Sequence, residues 1–129
     1  MKPASRSNMT PIAEGVLPRL RALCLSLPET RERSSWGHPN FLAGKKTFVT
    51  FEPGKSGPSI AFRLDPADIE RLAPRPQFFA TPYGRGLWIS MKADPRINWR
   101  LVRSLVLRSY RVVALKRLIA LLDDPSRIV

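Results

Sequence analysis

The sequence predicts an α+β fold in which a twisted antiparallel sheet packs against an N-terminal and a C-terminal helix. Apolar residues recur at helical spacing near both ends of the chain, whereas residues 34–91 contain short segments that alternate apolar and polar side chains. The resulting order of helix, strands, short helix, strands and long helix is typical of helices packed on an antiparallel sheet. Since 129 residues is the length of one domain, we expect a disordered tail at 1–9 and a single domain at 10–129.

The first predicted helix begins at Thr10-Pro11, because a hydroxyl cap and a following proline both favour a helix start. Pro28 ends it, and Pro18 fits only if the regular part of the helix begins near Val16. The residues at helical spacing that define its core-facing stripe are Val16, Leu20, Leu23, Cys24 and Leu27.

Alternating patterns and β-forming residues predict strands at 47–52 and 59–64, joined as a hairpin by the loop that contains Pro53 and Gly54. Residues 40–43 are predicted to pair with the first of these strands across a turn at Gly44-Lys45-Lys46. Asp65-Pro66 predicts a short helix, and two further strands follow at 77–80 and 87–91.

The last predicted helix begins after Asn98 and extends from Trp99 towards Leu122. No acidic residue lies between Asp94 and Asp123. One face of this helix is apolar, and the opposite face carries Arg96, Arg100, Arg103 and Arg111.

Net charge is the main functional indication. The chain has 22 Lys and Arg against 10 Asp and Glu, a net charge of +12, and both halves are positive. A folded domain this basic attracts polyanions such as DNA, RNA or an anionic membrane. The alternative is that the charge only keeps the protein soluble by self-repulsion.

Other functional classes have little support in the sequence. No apolar segment approaches the ~20 residues of a membrane helix, and no apolar segment of a signal peptide follows the first residues. The single cysteine, Cys24, favours a reducing cytoplasm. One histidine, His38, and scattered carboxylates give no metal-ligand spacing, no glycine-rich nucleotide motif is present, and no catalytic set is evident. We therefore expect a non-enzymatic protein without a cofactor or metal.

Two predicted hairpin tips are basic. One tip is Lys45-Lys46, and the other is Tyr83-Gly84-Arg85-Gly86, where an aromatic ring lies beside a cation. Lys, Arg and backbone N–H groups are the usual phosphate contacts in nucleic-acid complexes. The predicted nucleic-acid contacts are Lys45, Lys46, Tyr83, Arg85, Arg100, Arg103 and Arg111.

Several ordered motifs resemble the MmcQ/YjbR family: W-G-H-P-N-F at 36–41, G-K-K-T-F at 44–48, T-P-Y-G-R-G-L-W-I-S at 81–90, and I-N-W-R-L-V with L-R-S-Y-R-V-V-A within 97–114. The resemblance implies a CyaY-like fold and a DNA-binding function with a double-wing arrangement of hairpins, and it brings no enzymatic residues. Family members often have Ala-Pro-Lys where this chain has Ala114-Leu115-Lys116, so we expect a less broken final helix.

The sequence thus favours a monomeric, cytoplasmic protein that binds double-stranded DNA, with RNA as an alternative and no membrane partner. The competing hypotheses are a protein- or small-ligand-binding module, or an unrecognised enzyme, with an aromatic pocket. That pocket would use Trp36, His38, Tyr83 and Trp88. Salt sensitivity separates the hypotheses, because only phosphate binding releases many counterions.

Overall fold

The computed structural model describes residues 11–35, 37–54 and 57–124, so the predicted tail at 1–9 lies outside the described residues. These residues form four helices and six strands. In chain order they are α1 (Pro11–Leu25), β1 (Thr30–Ser35), β2 (His38–Ala43), β3 (Lys46–Glu52), β4 (Ser59–Arg63), α2 (Pro66–Leu72), β5 (Phe78–Ala80), β6 (Trp88–Lys92), α3 (Trp99–Val113) and α4 (Lys116–Leu122).

The six strands form one sheet in the order β1-β2-β3-β4-β6-β5, and every neighbouring pair is antiparallel. The first four strands are consecutive in sequence and in space. Helix α2 then connects β4 to β5, the strand at the far edge. This architecture confirms the predicted α+β fold, with an antiparallel sheet and helices that pack on it.

The two faces of the sheet differ in chemistry, because successive residues of a strand point to opposite sides. Phe41, Val49, Phe62 and Ile89 are paired across four adjacent strands and form a buried row. Helices α1 and α3 contribute to the same core cluster. We call this side the core face.

The opposite side, the outer face, carries smaller and more polar residues. Asn40, Thr50, Ala61 and Ser90 are paired in register across the same four strands. The loop between β5 and β6 folds back over this row: the hydroxyl of Tyr83 lies 3.4 Å from Oγ1 of Thr50. The outer face therefore has a polar floor and a partial cover.

A bulge in β3 anchors α3 to the sheet. Phe41 pairs with Val49 and Leu42 pairs with Thr47, so Phe48 is an extra residue in its strand. Its ring packs edge-on against the ring of Tyr110, with 5.7 Å between the ring centres.

Strand β1, T-R-E-R-S-S, was not predicted, because its residues are polar and show no apolar alternation. It forms at the sheet edge by pairing with β2 along its whole length. Glu32 on this strand accepts hydrogen bonds from Arg21 of α1 at 2.6 and 3.0 Å. Backbone pairing and this ion pair thus stabilise β1, although its sequence lacks the apolar alternation of a central strand.

The final helix, expected to extend from Trp99 towards Leu122 and to be less broken than in other family members, is interrupted. Helix α3 ends at Val113 and α4 begins at Lys116, because Ala114 and Leu115 adopt extended backbone angles (φ −70° and −63°, ψ 149° and 151°). These angles are accessible to any residue, so the break does not require proline. It turns the chain so that Leu118 is buried, which compensates for the interrupted helix.

Cys24 provides a direct test of the packing of α1. The residue is fully buried, and burial raises the pKa of its thiol well above the ordinary value. Since the thiolate is the reactive form, we expect native Cys24 to react with a thiol reagent more slowly than a free thiol by more than roughly a hundredfold, because labelling requires an opening of the core. Absorbance with a chromogenic disulfide, with and without urea, measures this. Rapid labelling of the folded protein would contradict the packing of α1.

Candidate functional site

Four arginines of α3 line an open cleft of about 500 Å³ on the side of the helix that faces away from the apolar core. Among the described residues, Ser104 and Leu107 also line this cleft. We call this surface the arginine face, and its arginines are Arg100, Arg103, Arg108 and Arg111.

The arginine face contains both paired and unpaired guanidinium groups. Arg108 donates to both carboxylate oxygens of Asp68 at 3.3 Å, and Arg111 donates to Asp123 at 2.5 and 3.2 Å. The Arg111 guanidinium lowers the pKa of the Asp123 carboxyl, mainly through this hydrogen bonding. Arg100 and Arg103 are exposed and have no acidic partner among the described residues. They are the groups most available to an anion.

A further cation extends this surface onto α1. The guanidinium of Arg19 lies over the ring of Trp99 at 4.6 Å from its centre. Trp99 and Arg103 are four residues apart and therefore lie on the same side of α3. Arg19 and Arg108 were not among the predicted contacts. Helix periodicity does not show that Arg19 of α1 reaches this helix, although it does place Arg108 beside Arg111, three residues further on.

The first basic tip is the β2–β3 turn. Lys45 and Lys46 are exposed there, and Gly44 adopts a φ of 63°, which favours glycine. The backbone N–H of Gly44 donates to the carbonyl of Glu29 at 3.3 Å. The Glu29 carboxylate in turn accepts from Arg117 of α4 at 2.6 and 3.0 Å. The tip is thus tied to α4, and its two lysines have no acidic partner within the described ranges.

The second basic tip is the loop between β5 and β6, where Tyr83 and Arg85 have different surroundings. Arg85 is exposed at a φ of 52°, but Tyr83 lies over the outer face and its hydroxyl donates to Oε2 of Glu52 at 2.5 Å. Burial, and to a smaller extent this hydrogen bond, raises the pKa of Tyr83 to about 12. Both side chains are exposed, but Tyr83 lines a cavity on the outer face and Arg85 does not.

This outer-face cavity has a volume of about 410 Å³. It brings together His38, Tyr83 and Trp88 of the pocket considered from sequence, and Trp36 lies outside the described residues. The described residues that line it are His38, Asn40, Thr47, Thr50, Glu52, Tyr83 and Trp88.

Sequence analysis missed four of these lining residues, Asn40, Thr47, Thr50 and Glu52. They converge because β2 and β3 pair in a bulged register, which the sequence does not show. The T-F-V-T-F-E alternation did indicate that Thr50 and Glu52 share a face, but that indication was used only to predict a strand.

The described residues hold no cluster of three or more His, Cys, Asp or Glu side chains that could bind a metal ion. In the same part of the chain, no helix has the length and apolar character needed to cross a membrane.

The comparisons with known proteins agree with the resemblance seen in the motifs. The YjbR family model matches residues 25–112, which include the β2–β3 turn, the outer-face cavity and the arginine face. This chain belongs to the YjbR family. Helix α4 and most of α1 lie outside the matched part of this YjbR protein.

Two solved structures share its fold. DR2400 of Deinococcus radiodurans, with domain DUF419, superposes with a TM-score of 0.67 at 19% identity, covering 84% of this chain and 88% of DR2400. A Pseudomonas syringae protein, a structural genomics target, gives a TM-score of 0.62 at 14% identity, covering 75% of this chain and 97% of its own. No curated protein matches the YjbR chain by sequence.

Proposed function

We propose that this YjbR protein is a non-enzymatic, cytoplasmic monomer that binds double-stranded DNA through its phosphates. The observation that carries the proposal is the pair of exposed guanidinium groups, Arg100 and Arg103, that no described carboxylate neutralises. In a chain of net charge +12, a polyanion can bind these groups without first breaking an internal ion pair. Each such contact releases a counterion from the DNA, which provides the driving force.

The position of this pair in α3 strengthens the local positive potential. The Oδ1 of Asn98 caps the helix by accepting hydrogen bonds from the backbone N–H groups of Arg100 and Leu101. No acidic residue occupies the first turn. The N-terminal end of a helix already carries a partial positive charge, so cations near it are unfavourable without an anion. A bound phosphate would relieve that repulsion.

The other predicted contacts differ in availability. Lys45, Lys46 and Arg85 are exposed and have no acidic partner to lose among the described residues, but the loop of Arg85 covers the outer face, on the side of the sheet opposite the arginine face. Arg111 is held by Asp123 in an exposed ion pair, and pairs of this kind contribute little to stability. A phosphate can therefore replace the Asp123 carboxylate. Because all these contacts are to the backbone, binding should depend weakly on DNA sequence.

The salt dependence of binding tests the proposal. Four to six phosphate contacts predict a slope of log K against log salt of roughly −4 to −5, since each contributes about −0.9 on duplex DNA. Arg100→Ala combined with Arg103→Ala should reduce the magnitude of that slope by about two units and weaken binding evenly across unrelated sequences. Fluorescence anisotropy with labelled duplexes at several salt concentrations measures both effects. Parallel titrations with single-stranded DNA and RNA test the preference for duplex DNA.

A matched control distinguishes the contribution of the arginine face to DNA binding from that of the overall charge. Arg71→Ala combined with Arg117→Ala removes the same formal charge from positions outside the arginine face and the two basic tips, where Arg71 is paired with Asp68 at 2.8 Å and Arg117 with Glu29 at 2.6 Å. We expect this control to keep nearly the wild-type slope. If the two double variants reduced the magnitude of the slope equally, or if wild-type binding did not depend on salt, a specific role for the arginine face would be excluded.

A further inference from the structure

The outer-face cavity lies on the opposite side of the sheet from the arginine face and has a different chemistry. Asn40 and Thr50, paired across β2 and β3, belong to its floor. The rings of Tyr83 and Trp88 line the same cavity, with their centres 6.2 Å apart and their planes inclined by 60°. The cavity therefore combines aromatic surface with a polar sheet floor.

The loop that covers the cavity is fixed in place by contacts. The Tyr83 hydroxyl donates to Glu52 and lies near Thr50, so the loop is tied to β3. Gly84 packs so closely against the indole of Trp88 that a Cβ there would lie 2.2 Å from Cδ1 of Trp88. These contacts hold the two aromatic rings in a defined arrangement before any ligand binds.

The charges of the cavity select against ionic ligands. Among the described lining residues there is no Lys or Arg, and the one carboxylate, Glu52, would repel an anion. The raised pKa of Tyr83 keeps its hydroxyl protonated at neutral pH. A cation would find one carboxylate among the described lining residues, within a protein of net charge +12. These features favour an uncharged ligand.

The polar groups of the floor are rich in acceptors. Asn40 donates its amide hydrogens to the carbonyls of Arg33 and His38 at 3.4 and 3.1 Å, which leaves its Oδ1 as an acceptor. The Glu52 carboxylate accepts only, and its Oε2 lies 4.0 Å from Nε2 of His38. The Nδ1 of His38 is buried without a hydrogen-bond partner among the described residues, so the polar network is incomplete.

We propose that the outer-face cavity binds an uncharged planar nitrogen heterocycle bearing an exocyclic amino group, such as cytosine or adenine, stacked on Trp88 and donating to Glu52. Aromatic side chains stack on the faces of such rings, and carboxylates accept from the N4 amino group of cytosine. A free nucleoside and an unpaired base of a nucleic acid strand share this chemistry. The site requires neither Arg100 nor Arg103 and so is independent of the proposed duplex binding.

Isothermal titration calorimetry of the full-length protein with cytidine and uridine tests the proposal. The two nucleosides differ at position 4, where cytidine has an amino donor and uridine a carbonyl acceptor, so cytidine should bind about tenfold more tightly. Glu52→Gln should remove most of that preference, and Trp88→Leu should weaken cytidine binding about tenfold through loss of stacking. Equal binding of the two nucleosides, or no binding of cytidine at tens of millimolar, would overturn the proposal.

Controls and additional ligands complete the test. Phe79→Leu alters an exposed aromatic residue of β5 that does not line the cavity, so it should leave cytidine binding unchanged. Urea denaturation of each variant identifies those that fail to fold, and Glu52→Gln then provides the test if Trp88→Leu is unstable. Tighter binding of tetramethylammonium than of cytidine would overturn the proposal in favour of an aromatic cation site.

The source of the heterocycle is resolved by comparing cytidine with a single-stranded oligocytidine. A Trp88-dependent gain in affinity for the strand identifies an unpaired base, and equal affinities identify a free nucleoside; either result supports the proposed cavity chemistry. Arg100→Ala with Arg103→Ala should leave cytidine binding intact. If this double variant loses duplex binding and retains cytidine binding, each proposal can be accepted or rejected independently of the other.

Discussion

Tyr110→Ala is expected to lower the free energy of unfolding by about 3–5 kcal/mol, the usual range for deleting a buried aromatic side chain. Tyr110 is fully buried at the end of α3, and its ring packs edge-on against Phe48. Its hydroxyl donates to the carbonyl of Pro28 at 2.7 Å and so joins α3 to the segment between α1 and β1. Since a domain of this kind is stable by about 5–15 kcal/mol, urea denaturation should show a large shift of the midpoint.

Tyr110→Phe is the matched control, because it keeps the ring and removes only the hydroxyl. We expect it to cost about 0.5–1.5 kcal/mol, the net contribution of one hydrogen bond. If the Ala variant were no less stable than the Phe variant, the ring would not be part of the core and the placement of α3 on β3 would be wrong.

The elements that the sequence predicted well are those with strong periodicity or caps. Helix α1 begins at Pro11 as predicted, and Asn98 caps α3 through its side chain. The expectation that Pro18 requires a regular helix starting near Val16 is wrong, because the helix is regular from Pro11 and contains Pro18. Val16 and Val106 are buried as their helical spacing indicates. These features depend on local sequence, which explains why they could be predicted.

The elements that were missed depend on contacts between distant parts of the chain. Strand β1 is polar and forms by pairing with β2, and the break at Ala114-Leu115 is stabilised by burial of Leu118. Neither leaves a local pattern in the sequence. A proline at position 115 would have indicated the break, but leucine adopts the same extended backbone there.

The candidate site also combines features that local sequence predicts with features that depend on contacts between distant residues. Helix periodicity was enough to place Arg100 and Arg103 together on the arginine face, and it could not show that Asp123 engages Arg111 across the helix break. Tyr83 was predicted as a nucleic-acid contact from its place at a hairpin tip. The sequence could not show that the loop between β5 and β6 folds back and brings the Tyr83 hydroxyl to Glu52.

Gly84→Ala is expected to lower the free energy of unfolding by about 2–5 kcal/mol, because two costs combine. Gly84 has a φ of +84°, a conformation that L side chains rarely adopt. The added Cβ would also lie 2.2 Å from Cδ1 of Trp88, so the indole must shift out of its packed position. Urea denaturation measures the stability, and the indole N–H resonance of Trp88 reports the displacement of the ring.

Gly86→Ala isolates the first of these costs. Gly86 lies in the same loop with a φ of +77°, but an added Cβ there meets no atom within 4 Å. We expect this variant to lose only about 1–2 kcal/mol from backbone strain and to keep the Trp88 resonance unchanged. The difference between the two variants therefore measures the contact between the loop and the indole. Equal losses, with Trp88 undisturbed in both, would mean that the loop does not hold the ring and that the outer-face cavity is not preformed.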